Sequence, residues 1–244
     1  MKKEDKKFSG KIINKVGQAI NRYQLIKKND KILVGISGGK DSFVLIDTLA
    51  RRKKHLPFDI SIIAIHVDLI PVKYKIDLPF YERLCNSLKI PFHVVKTEVD
   101  LFKDQGKKPC FTCSWFRRKK LFEIARKNGC NSLALGHHRD DTIETLLMNM
   151  IFHGSISSIP ESLNMFDNTF KLIRPLLHLR EEEIAKYASI HEMPAMEKNC
   201  PHENDTRRAE IKKFITEIKT LNPRADLNIF RSMSKIFEEY LPQN

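Results

Sequence analysis

The chain has 244 residues, 41% hydrophobic and 30% charged, a composition that fits an ordinary soluble globular protein. Lys and Arg total 43 against 30 acids, and the formal net charge of +13 favours a polyanionic partner, most often nucleic acid. No apolar run approaches the ~20 residues that span a bilayer, and the N-terminal "MKKEDKKFSGKIINK" lacks the apolar stretch of a secretory signal, so no membrane association and a cytoplasmic location are expected.

Ile12, Ile13, Val16, Ile20 and Tyr23 recur at helical spacing and predict an amphipathic helix over 9–28. Lys31 to Ile36 reads as a strand and 41–52 as a helix. "DISIIAIHVDL" (59–69) is a buried strand, 77–89 a helix, and "PFHVVKTEV" (91–99) a third strand. A loop carrying Lys107-Lys108-Pro109-Cys110 leads to a helix over 113–128, ended by Gly129. "NSLALG" (131–136) is a fourth strand, 140–152 a helix, and "FKLIRPLL" (170–177) a fifth strand. Helices follow near 180–191, 205–220 and 226–240.

This alternation predicts an α/β fold: a doubly wound, mostly parallel five-stranded sheet covered by helices on both faces, with further helices at the N- and C-termini. Ligands of such sheets sit beyond the carboxyl ends of the strands. The segments there hold Ser37–Ser42, His66–Asp68, Cys110–Cys113 and Gly136–Asp141, so one site is expected to gather them. The basic clumps Arg51-Arg52-Lys53-Lys54, Lys107-Lys108, Arg117-Arg118-Lys119-Lys120, and Arg207-Arg208 with Lys212-Lys213 read singly as solvated helix faces, and their total favours a polyanionic partner, most often nucleic acid.

In "ILVGISGGKDSFVLIDTLA" a buried strand runs into Ser37-Gly38-Gly39-Lys40-Asp41-Ser42 and then into a helix. Gly38 and Gly39 let the backbone turn sharply and bring N–H groups to phosphate oxygens at a helix N-terminus. Ser37 and Ser42 add hydroxyls and Lys40 a cation. The spacing fits neither the G-x-x-x-x-G-K-[ST] loop nor G-x-G-x-x-G.

The six residues resemble the SGGxDS signature of the N-type ATP pyrophosphatases, the PP-loop family. The resemblance implies ATP cleavage between the α and β phosphates, with adenylation of a substrate oxygen and release of pyrophosphate held by the loop. "ALGHHRDDTIETLLMN" (134–149) is similar to the family's second signature. By position it implies nucleotide contacts at Gly136 and His137, alongside His66 and Asp68. Asp140 and Asp141 start a helix, where acids serve as caps or, facing a triphosphate, as ligands for Mg²⁺. Glu144, one turn on, could join them.

Five cysteines, an odd number, argue against a disulfide framework. Cys85 and Cys130 stand alone in apolar settings and read as buried thiols. Cys110-Phe111-Thr112-Cys113 opens a helix, which lowers thiolate pKa, and Arg117 lies one turn past Cys113. With Cys200 and His202 a Cys₃His zinc site is conceivable. The whole series of motifs resembles the tRNA 2-thiocytidine synthetases (TtcA type) over about residues 15 to 241. That resemblance implies a [4Fe–4S] cluster on Cys110, Cys113 and Cys200, with one iron open to sulfur. It also implies tRNA as partner, thiolation at cytidine 32, and a sulfur donor that is sulfide or a cysteine desulfurase-derived persulfide. Cys200 is followed by Pro201-His202-Glu203, where such enzymes commonly carry a second C-x-x-C.

The division that follows is an N-terminal helix over 1–28, a PP-loop domain over 29–194, and a helical segment over 195–244 with the third cysteine. Arg117, Asp141 and Asp41 are the expected catalytic groups, and a homodimer is compatible with the sequence. Thiolation of a uridine, lysidine synthesis, a small-molecule sulfur acceptor, and a non-enzymatic metal-bound RNA-binding module are the alternatives.

Overall fold

Helices and strands alternate along the chain as α1 (Lys3–Arg22), β1 (Lys31–Gly35), α2 (Lys40–Lys53), β2 (Ser61–Ile70), α3 (Leu78–Ser87), β3 (Phe92–Glu98), α4 (Pro109–Lys127), β4 (Ser132–Ala134), α5 (Arg139–His153), β5 (Ser162–Met165), β6 (Phe170–Ile173), α6 (Glu181–Ile190), α7 (Arg207–Leu221) and α8 (Ala225–Ser232). The structure is a computed structural model that describes residues 1–70, 76–99, 109–195 and 207–241, the side chains of 109–111 excepted. The chain divides into two compact units, Met1–His138 with Pro160–Glu203, and Arg139–Ile159 with Asn204–Asn244.

The first unit holds one sheet in the order β3-β2-β1-β4-β6-β5. All neighbours are parallel except β5, which runs antiparallel to β6. The expected class is therefore present with six strands in place of five. The chain leaves β1 toward β2 on one side and returns to β4 on the other. That reversal opens a crevice at the carboxyl ends of β1 and β4, where doubly wound sheets bind ligands.

Side chains alternate across the strands. Ile32 and Val34 of β1 face a core completed by Ile12, Val16 and Ile20 of α1, Leu45 and Leu49 of α2, and Ile184 of α6. Leu33 points the other way, onto Leu121, Ile124 and Ala125 of α4. Both faces are covered, so the buried residues of β1, Ile32, Leu33 and Val34, are all apolar. Truncating Leu33 or Val34, both fully buried, would cost about 2–5 kcal/mol through lost transfer energy and a residual cavity.

Some boundaries differ from expectation. The first helix ends at Arg22, and Gln24 takes φ 46. β2 begins at Ser61 and runs one residue past the expected end, to Ile70, pairing with β3 from Ala64↔Phe92 to Ile70↔Glu98 with His66 and Asp68 on the strand. The last predicted helix is broken after Ser232, and among the described residues a single 3₁₀ turn, Glu238–Tyr240, follows. Among the described residues no helix is long and apolar enough to cross a membrane.

Candidate active site

The turn from β1 into α2 is shaped by its glycines. Gly38 sits at φ 88, a left-handed conformation that suits glycine. Gly39 is the N-cap of α2 and offers no side chain to cap it. The first-turn N–H groups of α2 are thus presented at the positive end of the helix, which suits an anion. Internal hydrogen bonds brace the loop: the buried Ser42 hydroxyl donates to the Gly39 carbonyl at 2.9 Å, and Ser37 Oγ donates to Ser42 Oγ at 3.2 Å. Tyr81 OH donates to the same Gly39 carbonyl at 3.4 Å.

Lys40 Nζ lies 3.0 Å from Glu181 and 3.4 Å from Asp41. Burial alone would lower its pKa, but the two carboxylates outweigh it and hold the ammonium above its ordinary value. His138, buried, places Nε2 3.9 Å from Asp41 Oδ1. Gly136 backs onto the same turn: a Cβ there would lie 3.0 Å from the carbonyl carbon and oxygen of Asp41. The loops after β1 and β4 approach so closely that a side chain at 136 would press on the Asp41 backbone. Backbone N–H groups at such a turn suit an anion such as phosphate.

His66 is nearly inaccessible and its Nδ1 donates to the Ile36 carbonyl at 2.9 Å. Burial pushes its pKa down and the Arg117 guanidinium pushes it further, against the partial support of the Ile36 carbonyl and Asp68. His66 is therefore a neutral brace for the residue that leads into the loop. Arg117 and Cys113 stand one turn apart on α4, both half-buried, and α4 begins at Pro109, so the C-x-x-C spacing falls in its first turn.

Cys85 and Cys130 are buried, one in each core layer. Burial raises both thiols, that of Cys85 to about 11, which disfavours the thiolate that metals need. Cys113 is half-buried and in no disulfide. The side chain of Cys110, and Cys200 with His202, lie outside the described residues. Cys110, Cys113 and Cys200 are the cysteines of the sequence other than the buried Cys85 and Cys130.

The second unit carries the acidic half of the "GHHRDDTIET" motif. Asp140 and Asp141 occupy the first turn of α5. Asp141 Oδ1 pairs with Arg208 of α7 at 3.2 Å, and Glu144, 1% exposed, receives Arg208 Nε at 3.3 Å and Lys212 Nζ at 3.7 Å. Arg139 of α5 meets Asp226 of α8 at 2.8 Å. Glu144 thus helps tie α5 to α7. Sequence reasoning missed Glu181, Tyr81 and Arg208; Lys40 and Glu181 are 141 residues apart, and no spacing rule links them.

A PP-loop domain model matches residues 9–218. A tRNA-cytidine(32) 2-sulfurtransferase of Burkholderia cenocepacia (strain HI2424) is 34% identical over 244 residues, spanning 98% of this chain and 73% of the relative. Its counterpart in Burkholderia multivorans (strain ATCC 17616 / 249) is similar to the same extent. Among solved structures, the U34-tRNA thiolase NcsA from Methanococcus maripaludis with its [4Fe-4S] cluster superposes with a TM-score of 0.78 at 25% identity, over 98% of this chain and 81% of that one. An NAD+ synthetase from Burkholderia pseudomallei shares the fold alone, with a TM-score of 0.51 at 12% identity, over 98% of this chain and 91% of that one.

Proposed function

The chain belongs to the PP-loop family, in the branch of the tRNA-cytidine(32) 2-sulfurtransferases, and on that basis we propose that it thiolates cytidine 32 of tRNA at C2, consuming ATP. The observation that carries this reading is the conjunction, on one chain, of the glycine cradle at Gly38 and Gly136 with a C-x-x-C in the first turn of α4. The cradle grips a triphosphate, and the thiols hold sulfur chemistry.

The reaction balances in two displacements. The cytidine O2 attacks the α-phosphorus of ATP and pyrophosphate departs. Sulfur, arriving as sulfide, adds at C2, and the former carbonyl oxygen leaves with AMP. Adenylation turns a poor leaving oxygen into a good one, and no net redox change is required.

Ser37, Gly38, Gly39, Lys40, Asp41 and Ser42 would hold the phosphates, with Gly136 and His137 at the nucleotide. His66 and Asp68 would serve that site from β2, His66 by fixing Ile36. Arg117 would neutralise charge gathering on the α-phosphate and the attacked carbonyl. Asp41 would keep Lys40 oriented toward the phosphates. Asp140 and Asp141 would bind Mg²⁺, as hard carboxylates do beside phosphate oxygens. Cys110, Cys113 and Cys200 would hold the [4Fe–4S] cluster, which supplies an iron site for the incoming sulfur. A desulfurase-derived persulfide would deliver that sulfide once a second thiol reduces it, two electrons passing to the outer sulfur as a disulfide forms, and the cytoplasm would be the place of action.

Nucleoside mass spectrometry of tRNA from cells lacking the gene tests the assignment. Loss of 2-thiocytidine supports it, and unchanged thionucleosides overturn it. Thiolation of a uridine is the second reading, favoured by the likeness to the archaeal U34-tRNA thiolase. It predicts loss of a thiouridine instead.

A further inference from the structure

The face of α4 turned away from the core carries Ser114, Trp115, Arg118 and Lys119, all exposed. Trp115 is 45% exposed, unusual for the largest apolar side chain. Its ring is held in place: Phe116 meets it edge-on at 5.0 Å and 88°, and Lys119 Nζ lies 5.3 Å from its centroid. Arg118 and Lys119 follow at i+3 and i+4, so they flank the indole on one helical face. Two residues before Trp115 on the same helix is Cys113, about 3 Å along the axis.

An ordered aromatic ring rimmed by cations matches one partner in particular. Unpaired RNA bases stack on aromatic side chains while neighbouring Lys and Arg take the phosphates. A base paired inside a duplex offers no free face, so the partner is a single-stranded loop. We propose that Trp115 is the stacking platform for an unpaired base next to the nucleotide being thiolated, with Arg118 and Lys119 on the flanking phosphates. This rests on the tRNA reading above. It assigns to α4 two tasks on adjacent faces: Cys113 and Arg117 serve the chemistry, and Trp115, Arg118 and Lys119 hold the loop.

The test exploits a convenience of the sequence, since Trp115 is the only tryptophan in the chain. Anaerobic holo-protein is titrated with unmodified tRNA at fixed low salt, following both tryptophan emission and retention of labelled tRNA. Emission should change saturably, with the same midpoint as binding. Trp115→Ala should weaken tRNA binding by roughly five- to hundredfold, the range for losing one stacked base, and Trp115→Phe should restore most of it. Arg118→Ala and Lys119→Ala should each reduce the salt dependence by about one ion, whereas Trp115→Ala should leave that slope intact. Iron content and thermal unfolding of each variant establish that the fold and cluster are intact. If tRNA binds and is thiolated while emission stays constant and Trp115→Ala binds normally, the platform is wrong and the thiolation reading stands. This face would then belong to a protein partner. If no tRNA binds to the wild-type holo-protein at all, both fall.

Discussion

A Cβ on Gly136 would lie 3.0 Å from both the carbonyl carbon and the carbonyl oxygen of Asp41. The atoms in the way are backbone, so Gly136→Ala must displace the first turn of α2 or the loop after β4. The displacement needed is a few tenths of an ångström, less than the ~1 Å misplacement that can slow a reaction ~100-fold. Gly136→Ala should therefore lower kcat/KM for ATP by several-fold, on the order of tenfold at most, read as AMP release, while tRNA affinity stays near wild type.

His66 ties stability to pH. Burial depresses its folded pKa below the ordinary histidine value of 6.5. On acidification the unfolded chain takes up the proton first, so the stabilisation is complete above 6.5 and is lost as pH falls through the depressed folded value. His191 is depressed in the same sense, also chiefly by burial. Denaturant unfolding at pH 7.5 and 5.5 should show a smaller acid-induced loss in His66→Asn than in wild type, with a remainder owed to His191.

The cysteines should separate by environment. In cluster-free protein near neutral pH, Cys113 should be alkylated at least about tenfold faster than Cys85 or Cys130, whose thiols are buried and raised. Cys113→Ala should lose the iron. Cys85→Ala and Cys130→Ala should keep it, at some cost in stability from the cavity each leaves.

Arg117→Ala and Asp141→Ala should slow single-turnover thiolation about 100-fold at saturating tRNA, the scale for losing an electrostatic or proton-handling group. Iron content should be unchanged. Asp141 also pairs with Arg208, so Arg208→Ala is the control: a rate as low as that of Asp141→Ala would reduce Asp141 to a tether. Glu144→Gln should instead destabilise the protein, by about 1–3 kcal/mol, because a buried acid loses the charge that Arg208 and Lys212 neutralise.

The parallel sheet was legible because β1, β2 and β4 are apolar runs closed by glycine or polar turns, with helical periods between. β5 was not. Ser162–Met165 is a four-residue edge strand with no buried side chain, so alternation has nothing to act on. It is fixed by pairing with β6 through a turn in which Phe166, Asp167 and Asn168 all take positive φ. His66 and Asp68 fall in the apolar run read as a strand over 59–69, and pairing with β3 keeps them extended. The phosphate loop was legible because its residues are consecutive. The pairing of Asp141 with Arg208, 67 residues away, was not, because a salt bridge between distant helices leaves no period in the sequence.

The central claim is that this chain adenylates and then thiolates a tRNA cytidine. Anaerobically reconstituted holo-protein, incubated with unmodified tRNA, ATP, Mg²⁺ and sulfide, should form 2-thiocytidine with AMP and pyrophosphate in equal amounts. Nucleoside mass spectrometry on the tRNA and chromatography of the nucleotides read both sides of that balance in one reaction. Formation of ADP and phosphate, of a thiouridine, or of AMP and pyrophosphate at the same rate without tRNA would contradict it.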